Sequence, residues 1–449
     1  MTTELRAEEA SRRRERRGWY WYDWANSVFT TSVVTVFLGP YLTDVAETAA
    51  GGPDGTLRPL GIPIDPDSLF PYVVSLSVLL QVLVLPVVGA VADRTQRKRT
   101  LLGVFAYVGA LATAALALVE NGRYLLGAGL FLVANVAFGA AFVISNSFLP
   151  EIAGPDERDA VSSRGWAFGY LGGGLLLALN LALFLQADSL GLSDGEAVRI
   201  CLLSAGVWWA GFTVIPLRRL RQHQPAQGSE RGAGALTAGF RQLGVTLRSL
   251  RGYPQTLLFL VGFLLYNDGI QTVIALSAQY GDRELGLSQT VLISTILLVQ
   301  FVAFGGALAL GRVALRYGAK RTVLASLAVW IVVLCAAFSL QRGSAAQFYA
   351  LGAAIGVVLG GTQALSRSLF AQMVPRGKEA EYFGLYEISD KGTSWLGTFL
   401  FGLALQLTDS YRIAIVSLVV FFVAGGLVLS RVDVRRAVVE ARGEQPVVL

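Results

Sequence analysis

Twelve apolar runs divide this chain, at roughly 19–43, 69–92, 100–119, 124–149, 161–186, 197–217, 255–280, 289–311, 320–341, 345–370, 382–407 and 411–430. A run of about 20 residues, wound at 1.5 Å per residue, covers the roughly 30 Å hydrocarbon core of a bilayer. Lipid offers no partner to a backbone N–H or C=O, so each crossing is constrained to be helix. The composition agrees: 54% hydrophobic and 15% charged, against about 25% charged in a soluble domain. The expected fold class is an all-α polytopic membrane protein of twelve transmembrane helices, with the lipid bilayer as its solvent.

The charges between the runs set the expected topology. Arginines crowd residues 1–18, the stretch from Asp93 to Arg99, the connector 218–254, Arg312 to Arg321 and the tail 431–449, whereas Asp44, Glu47, Asp65, Asp67, Glu120, Asp188, Asp282 and Asp409 fall in the alternate loops. Loops rich in Lys and Arg stay cytoplasmic, so both termini are expected in the cytoplasm and the chain in a plasma (inner) membrane. The net charge of +6 is then a topology signal, and nucleic acid is not an expected partner. The polar connector separates a six-helix bundle at 19–217 from another at 255–430. The lone histidine, His223, lies in that connector, which excludes a histidine proton relay inside the membrane. Cys201 and Cys335 fall in apolar runs of different halves and read as buried packing residues. No metal-ligand cluster, nucleotide loop or nucleophile constellation is present, so neither a cofactor nor an enzyme is expected.

A hinge between the second and third runs carries the clearest internal repeat. Gly89-Ala90-Val91-Ala92-Asp93-Arg94-Thr95-Gln96-Arg97-Lys98-Arg99 returns about 220 residues later as Gly311-Arg312-Val313-Ala314-Leu315-Arg316-Tyr317-Gly318-Ala319-Lys320-Arg321. Gly89 aligns with Gly311, Arg94 with Arg316 and Lys98 with Lys320, while Leu315 stands where the first copy has Asp93. Two copies in one orientation describe bundles related by an axis along the membrane normal.

A glycine, three residues, Asp-Arg and a basic cluster at this place resemble the signature loop of the major facilitator superfamily. Tyr22-Asp23-Trp24-Ala25-Asn26-Ser27, Gly169-Tyr170-Leu171-Gly172-Gly173-Gly174, Tyr266-Asn267-Asp268-Gly269 with Gln271-Thr272, and Tyr382-Phe383-Gly384-Leu385-Tyr386 are similar to its vacuolar amino-acid effluxer-like branch. The resemblance implies two pseudo-symmetric six-helix bundles around a central cavity, opened to each side in turn. It also implies that Asp93 and Arg94 lock the bundles together on the inner side. Gly89, Arg97 and Arg316 belong to the same gating set, and Asp93 is expected against the N-terminal end of the eleventh helix.

Charged and amide side chains inside the runs supply the binding candidates, because a charge at mid-bilayer costs about 2.5–3.5 kcal/mol on insertion scales. Asp268 falls near the middle of the seventh run beside Asn267, with Gln271 one turn on and Gly269 expected to loosen the helix. It reads either as a transport residue or as a structural partner of Lys391 or of a backbone amide. In the eleventh run Glu387 and Lys391 have the spacing of an intrahelical pair, leaving Asp390 to titrate beside Ser394; a static network is the other reading. Arg367, with Gln363 one turn outward and Asn146 at the matching place in the first half, either grips a solute carboxylate or snorkels to the interface. Asp23 and Asn26, close to the inner surface, suit an inner gate or an interfacial bond to Arg164. These residues point to a monomeric secondary transporter of a small polar solute, an amino acid or related metabolite favoured, with protons as coupling ion. A transporter-shaped receptor or lipid-handling protein is the alternative.

Overall fold

The computed structural model describes residues 3–53, 55–95, 97–120, 122–222, 248, 250–391 and 394–442. The apolar runs become helices throughout. The first bundle contains α1 (Thr3–Val28), α2 (Leu38–Ala50), α3 (Pro66–Thr95), α4 (Lys98–Ala115), α5 (Tyr124–Ser147), α6 (Arg158–Leu185) and α7 (Asp194–Arg219). The second contains α8 (Pro254–Gln279), α9 (Gln289–Tyr317), α10 (Ala319–Phe338), α11 (Ala345–Gln372), α12 (Glu379–Lys391), α13 (Ser394–Thr408), α14 (Tyr411–Ser417) and α15 (Val419–Ser430), followed by a short α16 (Val434–Arg442). Residues 223–247 and 249 of the connector, His223 among them, lie outside the described residues, as do Gln96, Gly392 and Thr393.

Eleven helical stretches among the described residues are long and apolar enough to cross a bilayer alone. The remaining apolar run, 382–407, carries helix on either side of Gly392 and Thr393, as α12 and α13. Helix α8 runs unbroken through Gly269, which was expected to loosen it. That glycine instead admits a neighbour: a Cβ there would stand 2.8 Å from the Phe422 ring of α15.

The first crossing is also longer than expected. Helix covers Glu9–Ala50, 42 residues, or about 63 Å at 1.5 Å per residue, twice the hydrocarbon thickness. Much of the stretch assigned to a polar tail is therefore ordered helix that continues α1 out of the membrane. In between, Phe29–Phe37 winds as π-helix. Its sequence, Phe-Thr-Thr-Ser-Val-Val-Thr-Val-Phe, crowds β-branched residues that fit an α-helix poorly. Hydroxyls take up carbonyls along it: Thr31 donates to Ser27 O at 2.9 Å, and Thr35 to Thr30 O, five residues back, at 2.7 Å.

Large apolar side chains divide by what they must meet. Trp19, Trp209, Trp330, Phe131 and Tyr266 are wholly buried, while Leu111, Val207, Val332, Leu407 and Val420 are at least 60% exposed. An exposed face of that kind is untenable in water and required against acyl chains. Cys335 is on this outer surface, not buried as expected; Cys201 is buried, and both are free thiols.

Contacts between bundles are made by α3 against α12, α6 against α9 and α11, and α5 against α12. The ends of α3 and α12 meet at the end of the molecule that carries both termini, hereafter the terminal face, while α6 and α9 stay in contact as far as Gly174 and Gln300. Inside each bundle, packing depends on small residues that let backbones approach. Gly206 of α7 is an example, since a Cβ there would lie 2.5 Å from Ala114 N and 2.7 Å from Ala110 O of α4. Gly206→Leu should therefore overpack the first bundle at a cost of about 1–3 kcal/mol. The expected outcome is a fall in thermal midpoint of the purified protein with the distribution between gate states unchanged, measured by scanning fluorimetry and by cysteine accessibility.

Candidate functional site

The terminal face is closed by two polar assemblies. In the outer one, α3 ends in Asp93, whose Oδ1 and Oδ2 accept the backbone N–H groups of Ala380 (3.1 Å) and Glu381 (2.9 Å) at the start of α12. These N–H groups have no intrahelical partner and carry the positive end of the helix dipole, so a carboxylate is what that position favours. Gly89, one turn back, allows the approach: a Cβ there would stand 2.3 Å from Ala380 O. Lys98, at the first position of α4, binds three carboxylates at once: Asp93 at 2.9 Å, Glu151 at 2.7 Å and Glu379 at 3.8 Å.

Lys98 thus adds a cation that ties the hinge to the second bundle, through Glu379. Arg94 and Arg97 lie on the exposed side of the hinge. Arg316 is exposed too. Its half of the repeat lacks the acid that would dock on a helix end, and Lys320 serves its own bundle by donating to Ser430 O and Val432 O, both at 2.8 Å.

The inner assembly centres on Arg367 of α11, 1% exposed. Its Nε–H meets Ser162 Oγ (2.9 Å); Nη1 donates to Asp23 Oδ1 (3.4 Å) and Asn146 Oδ1 (3.2 Å); Nη2 donates to Asp23 Oδ2 (3.0 Å) and Ser162 O (3.0 Å). All five guanidinium N–H groups are thereby used. Trp19 and Trp166 hold the cation against their rings, with centroids 4.5 and 5.3 Å from Cζ, an arrangement that adds cation–π attraction and keeps water out. Both earlier readings of Arg367 fail in this state. It neither snorkels nor presents free donors to a solute; it is a latch across the bundles. Asn146 belongs to the same latch, since its Nδ2 donates to Glu387 Oε1 of α12 at 3.3 Å.

Asp23 accordingly pairs with Arg367 (3.0 Å) and not with Arg164. The latter is exposed and interacts with Tyr20 on the outer side of α6, because the residue facing α1 at that level is Gly165. A Cβ at Gly165 would stand 2.5 Å from Asp23 Oδ2 and 2.9 Å from Arg367 Nη2. Asn26, one turn farther along α1, is 2% exposed.

Deeper in the seam, a run of amides links helices of the second bundle. Gln363 of α11 donates to Asn267 Oδ1 (2.8 Å), and Asn267 Nδ2 donates to Asp390 Oδ1 (2.7 Å) and Asp390 O (3.0 Å). Tyr266 and Ser366 are hydrogen-bonded at 2.6 Å just below. Asp268 lies about 100° around α8 from Asn267, 1% exposed, facing the Gly397 backbone in the first turns of α13. A Cβ at Gly397 would reach to 2.1 Å from Thr272 Oγ1 and 3.1 Å from Asp268 Oδ2. No donor among the described residues meets full hydrogen-bond geometry at either Asp268 oxygen. Gln271 is half-buried on the same helix. The side chains of Lys391 and Ser394, and with them the expected Glu387–Lys391 pair and Asp390–Ser394 face, lie outside the described residues.

Lys98, Glu151, Glu379, Ser162, Trp19 and Trp166 were missed from the sequence. Lys98 had a visible signal in its alignment with Lys320. For the others, only the closing of one bundle on the other brings them to the latch.

The family profile described as "Vacuole effluxer Atg22 like" matches residues 11–442. An uncharacterized major-facilitator-type transporter of Bacillus subtilis, YxiO, is 28% identical, with 93% of this chain and 94% of the relative covered. Autophagy-related protein 22 of Kluyveromyces lactis is 29% identical over 96% and 95%. Among solved structures, the proton:xylose symporter XylE superposes with a TM-score of 0.69 at 13% identity, covering 93% of this chain and 95% of that one. A bacterial homologue of the iron transporter ferroportin in an outward-facing state gives 0.64 at 15% identity, covering 94% and 98%. The fold is that of the major facilitators, two six-helix bundles.

Removing one partner of a buried ion pair leaves the other charge unpaired, at a cost of about 3–5 kcal/mol. Asp23→Ala should thus lower the thermal midpoint more than the double change Asp23→Ala with Arg367→Met, in which no buried charge is stranded. It should also raise maleimide labelling of a cysteine placed at Ser163, which lies against Gly311 across the seam. Equal midpoints for the single and double variants would remove the latch from this account.

Proposed function

Since this chain belongs to the vacuole effluxer Atg22-like family and is a membrane transporter of the major facilitator type, not an enzyme, we propose that it carries a small polar solute by rocker-switch alternating access. An amino acid or related metabolite is the favoured solute, and protons are the coupling ion. The supporting observation is the location of the buried charge. Arg367, Asp23, Asn146 and Glu387 join the bundles across the one seam that must part for the terminal face to open, so they would hold the closed state and release it as a unit. Above them, Asn267, Gln363 and Asp390 offer donors and an acceptor of the kind that a zwitterionic solute needs, with Gln271 beside them. Asp268 and Asp390 are the proposed proton carriers.

The terminal face takes the cytoplasmic side in this reading, because the arginine-rich segments gather there; the membrane is then the plasma (inner) membrane. The state described is closed toward the cytoplasm in this reading, in line with the outward-facing state of the ferroportin homologue. No nucleotide-binding segment accompanies the helices among the described residues, and a gradient suffices energetically. At about 100 mV one co-moved charge supplies roughly 2.3 kcal/mol, a concentration ratio of about 50.

The test begins with a thermal-shift screen of amino acids, sugars and organic acids against the purified protein, followed by proteoliposome uptake of whatever binds. Asp268→Asn and Asp390→Asn should each reduce uptake driven by a pH gradient by at least about tenfold, while solute exchange at equal pH persists. Wild-type gradient-driven rates in both variants would take them out of the coupling step. Failure of every solute class, with a lipid or protein bound instead, would turn the reading toward a receptor.

A further inference from the structure

The part of α1 that leaves the membrane keeps its arginines on two faces with different fates. On one, Arg16 donates to Ile152 O and pairs with Glu157, tying the helix to the turn between α5 and α6. On the other, Ala10, Arg13, Arg14 and Arg17 recur at the i, i+3, i+4, i+7 spacing of a single helical stripe. With Arg219 from the end of α7 they line a cavity of about 480 Å³. Arg219 reaches this stripe because Gly18 has no side chain: a Cβ there would stand 2.6 Å from Arg219 Cβ. Arg13 pairs with Glu9 on its own helix, while Arg14, Arg17 and Arg219 have no ion pair among the described residues. Four guanidinium groups line this cavity, and among the described residues one carboxylate, Glu9, pairs with them.

The depth of the cavity says what it meets. Immediately inward, Trp21 stacks on Phe212 at an interplanar angle of 7°, and Trp24 on Trp208 at 19°, with Phe168 against both tryptophans. These half-buried rings form an aromatic belt of the kind that sits at headgroup level. Arg17 lies one turn, about 6 Å, beyond Trp21, and Arg219 about 10 Å beyond Phe212. Farther in, Val207 and Leu203 of α7 are exposed to lipid. A guanidinium cluster just outside an aromatic belt, above a lipid-facing helix, stands at the plane of lipid phosphates. We propose that this cavity binds the phosphodiester headgroup of an anionic phospholipid. Its acyl chains would run along α7, and the paired N–H groups of arginine suit phosphate oxygens. A soluble phosphate shares the charge chemistry but has no use for the apolar wall.

The experiment is native mass spectrometry of the full chain released from mixed phosphatidylglycerol and phosphatidylcholine. Wild type should retain phosphatidylglycerol over phosphatidylcholine by about tenfold at equal supply. Arg14→Gln with Arg17→Gln and Arg219→Gln should abolish that preference. Arg431→Gln with Arg435→Gln and Arg436→Gln, an equal change of charge elsewhere on the same face, should keep it. Equal retention of both lipids by wild type, which involves no variant at all, overturns the proposal. So does an equal loss in the control variant, which would assign the effect to bulk charge. Displacement of the lipid by about 10 mM inorganic phosphate would reassign the site to a soluble anion and overturn it as well.

Discussion

Arg367 is a cation shut away from the surface, 1% exposed, and much of the terminal half of the molecule is arranged to make that tolerable. Burying an unpaired guanidinium costs several kcal/mol, so each of its five N–H groups must find an oxygen. Those oxygens come from α1, α5 and α6, all of the other bundle. The tryptophans at 19 and 166 then seal the faces of the ion, and a glycine at 165 leaves room for both charges. One demanding side chain thereby determines what four helices present to one another.

The hinge solves a different problem with different means. Asp93 is satisfied by a helix end instead of a countercharge alone, and that helix end belongs to the bundle that must move away. Lys98 binds carboxylates on both sides of the divide, Glu151 in its own bundle and Glu379 in the other. The second copy of the hinge has Leu315 where the first has Asp93, and its lysine turns inward to carbonyls of its own bundle. The pair of repeats is thus symmetric in backbone and asymmetric in chemistry. At the hinge, polar contacts across the bundles are made by α3 with α12, while at the second copy α6 and α9 approach through small residues, Ser163 and Gly311.

The first crossing carries a π-helical stretch, Phe29–Phe37, along which threonine hydroxyls take up carbonyls. Irregular geometry at membrane depth is tolerated only where protein or a wet cavity supplies partners, and here the side chains of the stretch supply them within the first bundle. Asp268 answers the same constraint differently: its carboxylate is buried against the Gly397 backbone of α13, where the absence of a side chain leaves room for it.

The amino-acid sequence alone determined the number and limits of the apolar runs, the side on which arginines gather, the duplication and the family. All of these are properties of composition and spacing, and lipid allows a 20-residue apolar run little else than to be a helix. Asp23, Asn146 and Arg367 were legible as unusual because charge and amide groups in such runs are costly, and Asp93 because it stands in the repeated hinge. Their partners were not. Which oxygen meets which guanidinium depends on how one bundle docks on the other, over separations of 344 residues for Asp23 and Arg367. The rotation of a residue about its helix decides the rest: 100° separates Asn267 in the amide chain from Asp268 at the start of α13, and Gly165 beside the latch from Arg164 outside it. Spacing along a chain carries no record of docking, and so only the tertiary structure could decide those roles.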